Sequence, residues 1–387
     1  MEQKNSKNYV DHIHELIPGG AHTYSKGDDQ FPLNAPAAIS YGKGAYVWDI
    51  DDNMFLDCSM GLSSVSLGHA HKPILDAVKK ELDLGVNFQR PSYIEREMAN
   101  KFLELIPQHQ MIKFTKNGST ATSAAVKLAR AKTDRKYIAF PFDHPFFSYD
   151  DWFIGKTECN KGVPAEYSDL SLTFKSCDIS SLQRLFEKHP NQIAGVIMEP
   201  ERVTCSNCQC EISVANYLKK AIELTHSEGS VFILDEMVTG FKIDLPGAIS
   251  KYNLEPDIAT WGKGIANGFS FCALTGKEEI MNLGGIKKKG MEKVFLTSTT
   301  HGGETHSIRA AIQTINFFKE NKVVEHNHLI GEDLIIRLNR LVKKYGIHNS
   351  IEVVPCKWII AFRFKNTEGE DSSLNRTYFM QEMIKEH

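Results

Sequence analysis

Residues 193–200 read IAGVIMEP and residues 231–236 read VFILDE, and the fold follows from these two runs. Each is apolar over a strand-sized length, and each ends in acid: Glu199 in one, Asp235-Glu236 in the other. A strand with one wet face alternates apolar and polar side chains, whereas one that is apolar throughout is covered on both faces. Between the runs Val214, Tyr217, Leu218, Ala221 and Ile222 recur at helical spacing, and Gly229 supplies a stop. Strand, amphipathic helix and second buried strand predict a parallel sheet with helices on both sides, an α/β fold.

The same pattern extends outward. Tyr137–Phe140 reads as a further strand, and Ile258-Ala259-Thr260 as a short one. Ala121, Ala124, Ala125, Leu128 and Ala129 line a helix whose small side chains imply close packing. Ile74, Ala77, Val78 and Leu82 mark another helical face, ended at Gly85. The two ends of the chain differ from this middle. WDIDDNMFLD (residues 48–57) is a strand–turn–strand pattern with Asp51-Asp52-Asn53 at the turn. Late in the chain Ile308, Ala311, Ile312, Ile315 and Phe318 share a helical face, Val324–Tyr345 continues helical, and Val353–Phe364 returns to strand. The expected layout is a large α/β domain over residues 61–306 and a smaller α+β domain built from 1–60 and 307–387. Phe379, Met380, Met383 and Ile384 form a helix face that stops at His387, which reads equally as an amphipathic helix followed by nothing or as a small domain that lacks its C-terminal part in this chain.

At 387 residues the chain is long enough for more than one domain. Its 45 basic and 48 acidic residues nearly cancel, which gives no support for a nucleic-acid partner. The longest apolar runs are far too short to span a membrane. The N-terminal MEQKNSKNYVDH lacks a basic-then-apolar signal, so a cytoplasmic protein is expected. Eight scattered cysteines fit reduced thiols in that compartment. Cys205, Cys208 and Cys210 cluster, but no second CxxC pair or nearby HxxxH completes a zinc set, so no metal is expected.

In open α/β sheets ligands bind beyond the carboxyl ends of the strands. Three features fall there. Asp235 follows a buried strand and needs a partner, because burying a carboxylate alone is costly. A helix cap, an ion pair or the protonated ring nitrogen of a cofactor would each serve. Lys263 stands between Gly262 and Gly264, where missing side chains let a bulky ring approach, and a lysine that loses hydration there becomes an amine nucleophile. The 28 residues from Asp235 to Lys263 suffice for one crossover and a return on a neighbouring strand. Asn117-Gly118-Ser119-Thr120 opens the small-residue helix with free N–H groups and hydroxyls, either an ordinary cap or a phosphate cradle. Together the three supply a phosphate site, a ring-nitrogen acid and an amine, in one chain order.

At this point the chain resembles a known family. GAYVWDIDDNMFLD, SLGHAHKP, KNGSTATSAAVKLAR, IAGVIMEP, FILDEMVTGF, DIATWGKGIANG and LTSTTHGGETH stand in the order of class III (subgroup II) aminotransferases. The nearest resemblance is to glutamate-1-semialdehyde 2,1-aminomutase and its relatives, from about Pro18 onward. The resemblance implies a fold-type I enzyme dependent on pyridoxal 5'-phosphate (PLP), working as a homodimer on a small amine or carbonyl substrate. It implies that Lys263 forms the imine link to PLP and is the catalytic proton carrier, and that Asp235 holds the pyridine nitrogen. Asn117, Gly118 and Ser119 then belong to the phosphate turn, Met237 packs on one ring face, and Phe146 falls near the place of a tyrosine stacked on the other. Thr300 matches a threonine that reaches the phosphate of the neighbouring subunit.

The substrate positions depart from the aminomutase pattern. Thr23 takes the place of a serine, Lys26 that of an arginine holding the substrate carboxylate, and Met60 that of a pocket tryptophan. Thr120 replaces a glutamate after the phosphate turn. Lysine supplies charge without a bidentate fork. The expected reaction is conversion of glutamate-1-semialdehyde to 5-aminolevulinate. The alternatives are amino transfer between a donor and another carbonyl, such as a sugar or small metabolite, or an inactive truncated relative.

Overall fold

The computed structural model of the protein describes residues 4–200, 211–287, 289–290 and 292–386. The chain divides into two compact units, one made of Met1–Lys72 with Asn327–His387 and one of Pro73–His326.

In the terminal unit β1 (Ile39–Lys43), β2 (Tyr46–Asp49) and β3 (Met54–Leu56) form an antiparallel meander. The Asp51–Asn53 turn lies where the sequence places it. Asp49 closes it, its carboxylate accepting from the Asp51 and Asn53 N–H groups at 2.9 and 2.8 Å. Asp51 in turn accepts from the Asn5 and Ser6 N–H groups at 2.8 and 3.0 Å, fixing the start of the Lys4–Leu16 helix.

The central unit holds a seven-stranded sheet: β4 (Met111–Thr115), β5 (Tyr137–Pro141), β6 (Ser171–Phe174), β7 (Ile193–Met198), β8 (Val231–Glu236), β9 (Ile258–Trp261) and β10 (Cys272–Gly276). Their order across the sheet is β4-β10-β9-β8-β7-β5-β6. The run β9-β8-β7-β5-β6 is parallel, and β10 lies antiparallel to both β4 and β9. Every residue of β7 and β8 is buried, as their unbroken apolar runs require. The Gly118–Thr133 helix crosses this sheet on its alanine face. A Cβ at Gly195 of β7 would lie 3.0 Å from the Ala129 methyl and 2.9 Å from the Val231 carbonyl, so small residues on both sides set the close approach.

Two sequence expectations need correction. Leu82 does not join the buried face of the Lys72–Leu82 helix; Ile74, Val78 and Glu81 do. Glu81 is tolerated there because the Arg309 guanidinium meets it at 2.8 Å. Val353–Phe364 is not one strand but two short ones, β11 (Ile351–Val353) and β12 (Phe362–Phe364), paired antiparallel. Pro355 cannot donate to a ladder, and the chain turns back through Lys357-Trp358. The Ser373–Lys385 helix lays Phe379 against Phe362 and Phe364, with ring centroids 5.3 and 5.2 Å apart.

Cys58, Cys159, Cys272 and Cys356 are outside any disulfide, whereas Cys177 is disulfide-bonded, against the expectation of reduced thiols throughout. The Cys205, Cys208 and Cys210 cluster lies outside the described residues. Among the described residues no metal-binding group occurs, and no helix is long and apolar enough to cross a membrane.

Candidate active site

Asp235 and Thr260 face each other in the register of β8 and β9, so the predicted crossover returns on the adjacent strand. The Asp235 carboxylate is buried, and its Oδ1 takes two hydrogen bonds, from the Thr260 hydroxyl at 2.9 Å and the Met237 N–H at 3.0 Å. Oδ2 has no donor among the described residues. Burial pushes this carboxyl up to about 6, against those two bonds and the nearby Lys263 ammonium. Glu236, the next residue, points to the opposite face as strand geometry dictates. It accepts from the Ile249 N–H at 2.8 Å and the Thr239 hydroxyl, and burial pushes it up to about 7. Only Asp235 is therefore available to a ligand on the Lys263 side.

Lys263 opens a short turn, Lys263–Ala266, in a left-handed backbone conformation (φ 49°). A non-glycine residue held there carries strain, which persists where the surroundings over-determine it. Burial pushes the Cys272 thiol up to about 12, against the lowering effect of the Lys263 backbone and charge. Met237, Cys272 and Ala121 form one small buried cluster. A Cβ on Gly262 would sit 2.5 Å from the Met237 sulfur, and one on Gly118 would sit 3.0 Å from it. Both glycines thus leave room for the Met237 side chain, which the resemblance assigns to a ring face.

Asn117 caps the Gly118–Thr133 helix, its side chain accepting from the Thr120 N–H at 2.9 Å. The Gly118 and Ser119 N–H groups precede the helical bonding pattern and have no acceptor among the described residues. The Ser119 hydroxyl accepts from the Tyr149 N–H at 3.0 Å, and its own proton likewise has no acceptor there. This is a set of donors at a helix N-terminus, suited to a phosphate. With the buried carboxylate and the glycine-lined approach, it fits PLP: anion, ring nitrogen and amine each have a counterpart.

Phe146 is exposed and rests its ring on Phe153, 5.7 Å away. Thr300 is exposed, its carbonyl accepting from the Asn87 side chain at 2.8 Å. Thr23, Lys26 and Met60 belong to the terminal unit, with Lys26 exposed and the other two half-buried. Sequence reasoning missed Thr260 and Cys272, which reach the site only through strand register. It also missed His144, which is buried, stacks on Phe147 and accepts from the Glu199 N–H at 3.3 Å. Lys242 was missed too. Its ammonium donates to the Val238 carbonyl at 2.8 Å, and burial, helped by the Lys263 charge, pushes it down to about 7. A second lysine after TGF was the available signal.

Residues 29–371 match a family model described as Aminotransferase class-III. Over 92% of its length the chain is 29% identical to a glutamate-1-semialdehyde 2,1-aminomutase of Natranaerobius thermophilus, 82% of which is covered. It is similar to the solved structure of an omega-transaminase from Sphaerobacter thermophilus, with TM-score 0.81 and 22% identity, covering 96% of this chain and 86% of that one. It is also similar to the PLP internal aldimine form of the FumI protein of Sphingopyxis sp. MTA144, with TM-score 0.82 and 23% identity, covering 94% and 84%.

Proposed function

The chain belongs to the class-III aminotransferase family and is a PLP-dependent enzyme, and from that premise we propose that it moves an amino group on a small carbonyl-bearing substrate, with Lys263 as anchor and proton carrier. The observation that carries this reading is Asp235, buried, with both hydrogen bonds on Oδ1 and in electrostatic reach of Lys263.

PLP, when bound, supplies an electron sink for the pair released at the substrate carbon. Asp235 accepts the ring N–H and keeps it charged, which maintains that sink. The Gly118 and Ser119 N–H groups and the Ser119 hydroxyl hold the phosphate, and the Met237 side chain packs against one ring face. The Lys263 amine would carry the proton from the substrate carbon as general base and return it as general acid. Thr300 serves the phosphate of the other subunit in a homodimer.

The first substrate reading is conversion of glutamate-1-semialdehyde to 5-aminolevulinate, supported by the similarity to a protein of that name. A second reading is a two-substrate aminotransferase, favoured by Lys26 and Met60 where the aminomutase pattern has arginine and tryptophan. Supplying glutamate-1-semialdehyde with no second donor or acceptor separates them. 5-Aminolevulinate should form under the first reading; its absence, with turnover of an amine plus a keto acid, establishes the second. A yellow protein whose borohydride-reduced label maps to Lys263, and is lost in Lys263→Ala, supports the anchor; a label on any other lysine sinks it.

A further inference from the structure

Lys116 lies between β4 and the Asn117–Ser119 turn, and its backbone carbonyl accepts from the Ser270 hydroxyl at 2.7 Å. Its ammonium is paired with the Glu304 carboxylate, which belongs to the loop that carries Thr300. Glu304 Oε1 accepts from His301 Nδ1 at 2.8 Å, and His306 Nε2 lies 4.0 Å from Oε2. Burial pushes this carboxyl up, but the Lys116 and His301 bonds outweigh it and leave it below the usual range. The side chains of Lys116 and Glu304 are only 30% and 13% exposed, so water screens the pair less than a surface ion pair. On its far side the loop is fixed independently. Asn87 donates to the Thr300 carbonyl at 2.8 Å, and Thr305 gives its hydroxyl to the Gly85 carbonyl at 2.7 Å and its N–H to Val86 at 3.0 Å. The Lys116–Glu304 pair is therefore the tie between that loop and the turn that opens the Gly118–Thr133 helix.

We propose that Lys116 and Glu304 are positioning residues for the cofactor phosphate, holding the Asn117–Ser119 turn of one site in fixed register with the loop whose Thr300 serves the phosphate of the neighbouring subunit. The proposal rests on the reading of Asn117–Ser119 as the phosphate turn. Because Glu304 neutralises it, Lys116 acts through the position of the turn rather than as a charge on the phosphate. A pocket held this way favours PLP over pyridoxal, which has the ring and lacks the phosphate, and loosening the tie erodes that preference alone.

The test is titration of PLP-depleted protein with PLP and with pyridoxal, followed by absorbance, in wild type, Glu304→Gln, Lys116→Met, Lys116→Arg and Ser119→Ala. Glu304→Gln and Lys116→Met should each weaken PLP about tenfold with pyridoxal affinity unchanged, the loss expected of one partly buried charged hydrogen bond, and Lys116→Arg should retain the preference. If Lys116→Met weakens PLP while Glu304→Gln leaves or tightens it, Lys116 is a direct phosphate charge and the proposal is overturned. If neither changes the ratio while Ser119→Ala lowers it, the tie is refuted and the phosphate turn stands. No effect of Ser119→Ala would remove the turn and the proposal together. Should Glu304→Gln not fold, Glu304→Asp keeps the charge on a shorter arm and must show a smaller loss in the same direction.

Discussion

At Asp235 burial and ionisation oppose each other, and the conflict gives a measurable pH dependence. The carboxyl is raised from its ordinary 3.8 to about 6, so without a cationic partner the fold prefers it protonated. The stability it contributes is present below 3.8 and lost as pH rises through about 6, a linkage of about 3 kcal/mol when fully developed. A protonated pyridine nitrogen on Oδ2 favours the ionised form and removes that loss. Protein stripped of PLP should therefore lose more stability between pH 4 and pH 7 than the loaded protein, in which Glu236 alone of the two carboxyls still titrates. The gap between their melting temperatures is expected to widen over that interval, and Asp235→Asn should flatten it. An equal widening in the asparagine variant would show that the dependence belongs to another group.

Among the short elements, the turn Met60–Ser63 has the least expected backbone. Met60, Gly61, Leu62 and Ser63 all have φ between 46° and 64°, four left-handed residues in succession. Such a conformation costs a non-glycine residue roughly 1–2 kcal/mol. It is held by Asp57, whose Oδ1 accepts from the Ser59 and Met60 N–H groups at 2.9 and 2.8 Å, and whose Oδ2 meets His69 Nε2 at 2.7 Å. Under the proposed function Met60 lines the substrate pocket, and strain retained at it is then expected to serve that pocket. Met60→Gly should stabilise the protein by about 1 kcal/mol while raising KM for the carbonyl substrate. Thermal melts and initial rates check it, and a stabilised variant with unchanged KM would remove Met60 from the pocket. Nothing in the letters MGLS announces this turn, whereas β7 and β8 were readable because complete burial leaves an unbroken apolar run. Leu82 and the interior of Val353–Phe364 misled for the opposite reason. There apolar side chains are exposed or turned, and an ion pair at Glu81 and a proline at 355 decide the backbone. Asp235, Lys263 and the Asn117 cap stood out by chemistry. Thr260 and Cys272 could not, because only the pairing of β8, β9 and β10 brings them to the same place.

In the proposed homodimer, the proposed assignment of Thr300 to the neighbouring subunit has a consequence that single variants cannot reveal. Lys263→Ala removes the anchor, and Thr300→Ala weakens the phosphate site it serves, here by about tenfold in PLP affinity for a lost hydrogen bond to a charged group. Suppose the two variants are mixed and allowed to exchange subunits. In a mixed dimer, the Thr300→Ala subunit keeps Lys263 and receives Thr300 from the Lys263→Ala subunit, which makes one complete site. The other site lacks both residues. Mixing should therefore restore wild-type PLP affinity in half of the sites of each mixed dimer, a tight phase absent from either parent. If Thr300 instead serves the site of its own chain, no mixed dimer contains a complete site, and the mixture will titrate as the sum of its parents. Absorbance titration at a PLP concentration between the two affinities separates these outcomes, and it reads the arrangement of subunits from binding alone, whatever the substrate proves to be.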